Sequence, residues 1–158
     1  MIRILLAVLC IVWVSAPSVA QEDRYVGYYY PTITSNEVFD RVIPSPRVAN
    51  RFIRVDFVTQ LTNGQLAAPG SPRFAMFAKG EAASQLVIVG LQDDTFKTLF
   101  RARAVMAQMT ANVRSLPMFE GEGLQFYVTF YDLLQLLEFD SLVLTDGESW
   151  SHRVQFKR

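Results

Sequence analysis

The first twenty residues take themselves out of the folding problem. Arg3 is their only charge, residues 4–14 are an unbroken apolar run, and Ser18-Val19-Ala20 offers the small residues a signal peptidase accepts. The run is too short to span a bilayer as a helix, so the segment reads as a cleaved export signal and not as an anchor. The mature chain is then expected to be residues 21–158, 138 in all. The one cysteine, Cys10, lies inside the signal. What remains must fold without a thiol or a disulfide, on a packed core alone, and this length suits a single domain.

Small proteins secreted by eukaryotes lean on disulfides, so a cysteine-free exported chain points to bacterial export. None of Asn36, Asn50, Asn63 or Asn112 heads an Asn-x-Ser/Thr acceptor, in agreement with that. Lipidation at Cys10 is not expected, because Leu9 precedes it where a small residue is needed and the apolar run continues to Val14. The expected location is the periplasm. Without Arg3 the 15 Lys and Arg become 14 against 15 Asp and Glu, a formal net charge of −1. A near-neutral chain has no general attraction for nucleic acid or anionic lipid, and neither is an expected partner. No later segment is apolar enough to suggest a transmembrane segment.

Along the mature chain, residues 25–30 read as a short aromatic strand ended by Pro31. Thr34-Ser35-Asn36-Glu37 resembles a capping box, but residues 38–43 alternate and favour a strand. Ser45-Pro46 suits the start of a single helical turn. Residues 51–60 alternate, with Ile53, Val55 and Phe57 opposite Arg54 and Asp56, and predict a half-buried strand. Residues 62–73, with Gly64, Pro69, Gly70 and Pro72, read as loop. Residues 74–78 and 86–91 are apolar strands joined near Gly80, the second apolar on both faces and so central. Asp94 is expected to cap a long helix over residues 95–115. Thr129 and Asp132 form a capping box for a second helix over residues 130–139. Residues 142–145 and 150–157 close the chain as a hairpin around Asp146-Gly147-Glu148-Ser149. The expected fold is α+β: a single antiparallel sheet of about five or six strands, with two helices packed on one face.

Few residues can do chemistry. His152 is the only histidine, which removes polyhistidine zinc sites, and the missing thiol removes thiolate sites, so no metal is expected. Ser151 cannot form a dyad with His152, because neighbours on a strand point to opposite faces. His152 reads first as a core histidine and second as a catalytic or pH-sensing group. On the long helix, Lys97, Arg101, Gln108, Asn112 and Ser115 make a polar stripe, while Arg103, Thr110 and Arg114 align on the far side among Phe96, Leu99, Phe100 and Ala107. A helix this apolar is expected to be covered over most of its surface, so Arg103 needs a carboxylate, with Asp132, Glu138 or Asp140 as candidates. Alternatively Arg103 and Arg114 hold an anionic ligand or an acidic group of a partner.

The remaining candidates read as structure. Asp93 and Asp94 would repel a phosphate at the helix start, and Gly90 reads as a bulge or close-packing residue. Tyr25, Tyr28, Tyr29 and Tyr30 read as packing before a stacking surface. Glu120 and Glu122 read as solvated loop and not, with Asp140, as a glycosidase pair. Met106 and Met109 read as core.

Gly27-Tyr28-Tyr29-Tyr30-Pro31, Phe74-Ala75-Met76-Phe77-Ala78-Lys79-Gly80, Val87-Ile88-Val89-Gly90-Leu91 and Phe130-Tyr131-Asp132-Leu133-Leu134 resemble a group of small exported proteins of Gram-negative bacteria. Some of these carry the label molybdopterin-guanine dinucleotide biosynthesis protein A. The resemblance implies export. The nucleotidyltransferase of that name binds GTP on an N-terminal glycine-rich loop bearing Arg and Lys; the chain has no such loop, so none of those roles transfers to it.

The expected function is that of a non-catalytic periplasmic protein that binds an envelope protein or component, with no cofactor. The alternative is a binder of a small anionic ligand, or an enzyme, with a pocket between sheet and helices. That alternative uses Arg103, Arg114 or His152 and predicts a cavity of roughly several hundred Å³ on which these side chains converge. Molybdopterin guanylyl transfer is a third reading, carried by the resemblance alone.

Overall fold

The computed structural model describes residues 32–41, 49–92, 94–114 and 128–157. The expected signal, the aromatic segment at residues 25–30, the turn at Ser45-Pro46, Asp93, and Glu120 with Glu122 lie outside the described residues.

Five strands and three helices follow one another in the order β1 (Ser35–Phe39), α1 (Arg51–Ala67), β2 (Phe74–Lys79), β3 (Gln85–Gly90), α2 (Leu99–Arg114), α3 (Phe130–Leu136), β4 (Ser141–Thr145) and β5 (Ser151–Phe156). The fold is α+β with one sheet, in the strand order β1-β5-β4-β3-β2. The sheet is mixed, not antiparallel. β2 and β3 form a hairpin, as do β4 and β5, but β3 runs parallel to β4 and β1 parallel to β5. The reason is connectivity: α2 and α3 intervene between β3 and β4, and a helical crossover returns the chain in the same direction.

The third helix is α1, where alternation predicted a strand. Asn50 caps it by accepting from the Ile53 backbone N–H at 3.0 Å. Its inward positions are Arg54, Phe57, Val58 and Leu61, a helical spacing. Residues 62–67 belong to this helix and not to the loop that follows. α2 begins later than expected, at Leu99, with the Thr98 hydroxyl accepting from the Arg101 N–H at 3.3 Å. Asp94 instead adopts a left-handed φ of 76° in the preceding turn. The capping box of α3 is present in full, from Thr129 to Asp132.

All three helices press one face of the sheet. Val58 of α1, Ala102, Val105, Met106, Met109 and Val113 of α2, and Phe130, Leu133 and Leu134 of α3 share a core with Leu86, Ile88, Leu142, Leu144, Val154 and Phe156. Met106 and Met109 are core residues, as expected. On the opposite face Val87, Val89 and Val143 cluster, with Ile33 against them. Gly90 is a close-packing site: a Cβ there would lie 3.0 Å from Thr95 Cβ and 3.1 Å from Phe96 Cδ2.

α2 is not covered around most of its surface. It buries a single stripe, while Phe100 is 82% exposed and Ala104, Ala107 and Ala111 face outward. Alanine adds little apolar area, so an alanine-rich helix can read as apolar and still lie open to water.

Candidate functional site: an arginine-lined cleft

The open side of α2 borders a cleft of about 580 Å³ formed with β1 and the start of α3. Arg103, Met106, Ala107, Thr110 and Arg114 line one wall, at helical spacing. β1 supplies Glu37 and Phe39, Arg41 follows two residues after it, and the start of α3 supplies Thr129, Phe130 and Tyr131. Three arginines and one carboxylate, Glu37, thus line the cleft together with apolar residues, and a second carboxylate, Asp132, sits behind Arg41. The size lies within the range of small-molecule pockets.

Each charged group is held differently. Arg103 is exposed, and its partner is not Asp132, Glu138 or Asp140: Nη2 lies 3.5 Å from Glu37 Oε2, a loose pair. Arg114 is also exposed and donates from Nε to the Val128 carbonyl at 3.0 Å. Arg41 donates from Nη1 to both oxygens of Asp132, at 3.0 and 3.2 Å. Asp132 is fully buried and also accepts at Oδ2 from the Thr129 N–H and hydroxyl, both at 2.8 Å. One carboxylate therefore fixes the helix start and the nearest guanidinium together. Burial, and then the negative charge of Glu37, push the Tyr131 phenol up to about 12, against the pull of Arg103. The phenol stays a hydrogen-bond donor at any physiological pH.

His152 lies beside the cleft and is 3% exposed. Its Nδ1 is 2.8 Å from the Ser35 hydroxyl oxygen, and its Nε2 is 3.4 Å from Glu37 Oε1. That second contact lacks hydrogen-bond geometry, which leaves Nε2 buried without a hydrogen-bond partner. The Trp150 ring stacks on the imidazole, with centroids 6.1 Å apart and planes at 22°. As expected, the Ser151 hydroxyl points to the other face, where it accepts from the Thr34 N–H and donates to the Thr32 carbonyl.

Comparison with protein-family models, with curated proteins and with solved structures gives no match to this chain. Function must be argued from the geometry.

The three residues singled out from sequence are thus brought to one region: Arg103 and Arg114 line the cleft, and His152 reaches it through Glu37. Sequence reasoning missed Ser35, Glu37 and Arg41. Their partners lie 117 residues away for Ser35 and 91 for Arg41, and no local spacing encodes such a pairing. A second cavity, of about 590 Å³, lies between α1, β2 and α2 over Phe57, Leu61, Met76 and Met109. Its one ionised lining group is Arg73, which bonds to Gln108 at 3.2 Å, so it offers little to orient a ligand.

Proposed function

We propose that the α2–β1–α3 cleft binds a small organic anion, a carboxylate or phosphate carried on an apolar or aromatic body, in the periplasm. The observation that carries this reading is the pair Arg103 and Arg114 on a cavity whose lining holds one carboxylate, Glu37, while the third arginine, Arg41, is already held by the buried Asp132. Guanidinium groups are paired donors matched to carboxylate and phosphate oxygens. Phe39, Tyr131 and Ala107, which stay partly or fully open to water, give the ligand body an apolar surface. Glu37 is bound loosely enough, at 3.4 and 3.5 Å, to yield Arg103 to an incoming anion.

Titration calorimetry with phenylacetate and phenyl phosphate, against neutral phenylacetamide, tests the proposal. A charge-assisted bond contributes about 1.5–3 kcal/mol, so the anions should bind at least about tenfold tighter than the amide. The double variant Arg103→Ala/Arg114→Ala should lose that preference. Equal binding of anion and amide, or an unchanged preference in the double variant, refutes the reading.

A second reading, docking to an envelope protein, rests on the large apolar side chains left in water, Phe52 at 78% and Phe100 at 82% exposure. Native mass spectrometry of the protein from its own envelope fraction separates the two, since a bound small molecule and a bound polypeptide differ in mass. Guanylyl transfer, which the resemblance implies, finds no glycine-rich loop in the cleft lining. Titration with GTP and magnesium tests it.

A further inference from the structure

The parallel pairing of β1 with β5 sets Ser35 directly beside His152, with Glu37 two residues along the same face. A hydroxyl, an imidazole and a carboxylate are thereby joined in a line by contacts of 2.8 and 3.4 Å. We propose that Ser35, His152 and Glu37 form an acyl-transfer site, with Ser35 as nucleophile, His152 as general base and Glu37 as the group that orients the ring. Its substrate is a carboxylic ester whose acyl part carries an anionic group.

Burial is graded as such a site requires. His152 is shielded and held flat against Trp150, whereas Ser35 is exposed. A purely structural hydrogen bond would not need the far ring nitrogen turned toward a carboxylate, with no other bond made there. With the ring proton on Nε2, facing Glu37, Nδ1 presents its lone pair to the Ser35 hydroxyl. The assignment reverses that of the Ser-His-Asp triad, where Nε2 faces the serine; the role requires that one ring nitrogen reach the hydroxyl and the other face the orienting group.

In the forward step Ser35 Oγ bonds to the ester carbonyl carbon and its proton passes to His152 Nδ1. The tetrahedral adduct collapses, the ester C–O bond breaks, and the imidazolium returns the proton to the departing alkoxide. Water repeats the sequence on the acyl-serine and releases the carboxylic acid. The choice of an anionic acyl part rests on the cleft reading above, through Arg103, which approaches the other oxygen of Glu37 at 3.5 Å. The reactivity of the serine does not.

The test is covalent labelling of the mature protein by diisopropyl fluorophosphate, an uncharged reagent, read by intact mass and peptide mapping. The expected result is a single adduct on Ser35, absent in Ser35→Ala. General-base assistance contributes about 10²–10⁴-fold, so His152→Ala should label at least about a hundredfold more slowly. Glu37→Gln, at a half-exposed position, should label at least about tenfold more slowly. No adduct on Ser35, or an adduct formed at the wild-type rate in Glu37→Gln, overturns the proposal. The substrate class is read separately, from hydrolysis of 4-nitrophenyl hydrogen succinate against 4-nitrophenyl acetate. A preference for the succinate that Arg103→Ala abolishes supports the anionic acyl part; labelling of Ser35 without that preference removes the substrate assignment and leaves the nucleophile standing.

Discussion

Arg54 is the residue whose replacement tells most about how this fold holds together. It is 6% exposed and faces five backbone contacts. Nε and Nη2 donate to the Ala82 carbonyl at 3.1 and 2.9 Å, and Nη1 reaches the carbonyls of Leu137 at 3.1 Å, Ala49 at 3.3 Å and Glu138 at 3.4 Å. One guanidinium thus ties α1 to the β2–β3 turn and to the C-terminal end of α3, where free carbonyls and the helix dipole favour a cation. Removing it strips the short bonds from the Ala82 and Leu137 carbonyls, at about 1 kcal/mol or more each. It also removes the two buried methylenes beyond Cβ, at about 0.8 kcal/mol each. Arg54→Ala should therefore cost about 4 kcal/mol, and Arg54→Met, which keeps most of the stem, about 2 kcal/mol. Arg54→Lys should fall near Met, because one ammonium cannot span Ala82 and Leu137 together. Urea unfolding followed by circular dichroism measures all three as shifts of midpoint at constant slope. An Arg54→Met variant within about 0.5 kcal/mol of wild type would show that the desolvation of the guanidinium cancels its bonds, and would refute the reasoning.

Two further substitutions probe the scaffold. Gly90→Ala places a methyl group 3.0 Å from Thr95 Cβ and 3.1 Å from the fully buried Phe96 ring, and should cost about 1–3 kcal/mol in urea unfolding; an unchanged midpoint would show that the contact relaxes freely. Asp146 holds the β4–β5 turn: burial raises its carboxyl, but bonds from the Glu148, Trp150 and Ser149 N–H groups and the Ser149 hydroxyl outweigh this and hold it below the usual range. A carboxylate depressed in the folded state stabilises above its unfolded value, near pH 4, and that contribution fades as pH falls through the folded value. Melting temperatures of wild type and Asp146→Ala should thus differ at pH 7 and converge toward pH 2–3; a gap that stays constant over that range counts against the turn as the cause.

The hairpins were legible because their signals are local. Short apolar runs and the turn residues Gly80 and Gly147, both at positive φ, mark β2–β3 and β4–β5 within a few residues of sequence. The capping box of Thr129 and Asp132 is equally local. α1 was misread because its pattern is inverted. Ile53 and Val55 each remain 37% exposed while Arg54 faces inward, so hydrophobicity alone traces a strand. A buried arginine satisfied by carbonyl groups leaves no trace in a hydrophobic pattern. The parallel pairing of β3 and β4 was implicit in the two helices that separate them. That of β1 and β5, across the length of the domain, had no signal. At the site, the Arg103–Arg114 stripe shows in the 100° spacing of a helix, whereas Ser35, Glu37 and Arg41 enter only through tertiary pairing.

The two carboxylates at the cleft divide the work between architecture and chemistry. Asp132 is buried, carries bonds of 2.8–3.2 Å, and joins the α3 cap to Arg41. Removing it would take the acceptor from the half-buried Thr129 N–H and hydroxyl and release Arg41. Glu37 is half-exposed, and its contacts to Arg103 and His152 are 3.5 and 3.4 Å. Contacts of that length are cheap to exchange, so an incoming anion can take Arg103, and the imidazole can tighten on Glu37, without disturbing the core. Of the three inner strands, β3 and β4 carry no ionisable residue, whereas β5 carries His152 beside the edge strand β1, whose Glu37 is approached from α2 by Arg103 and from β5 by His152. The buried core lies over the sheet centre and its helices, and the groups suited to chemistry lie at the seam where the edge strand β1 pairs with β5.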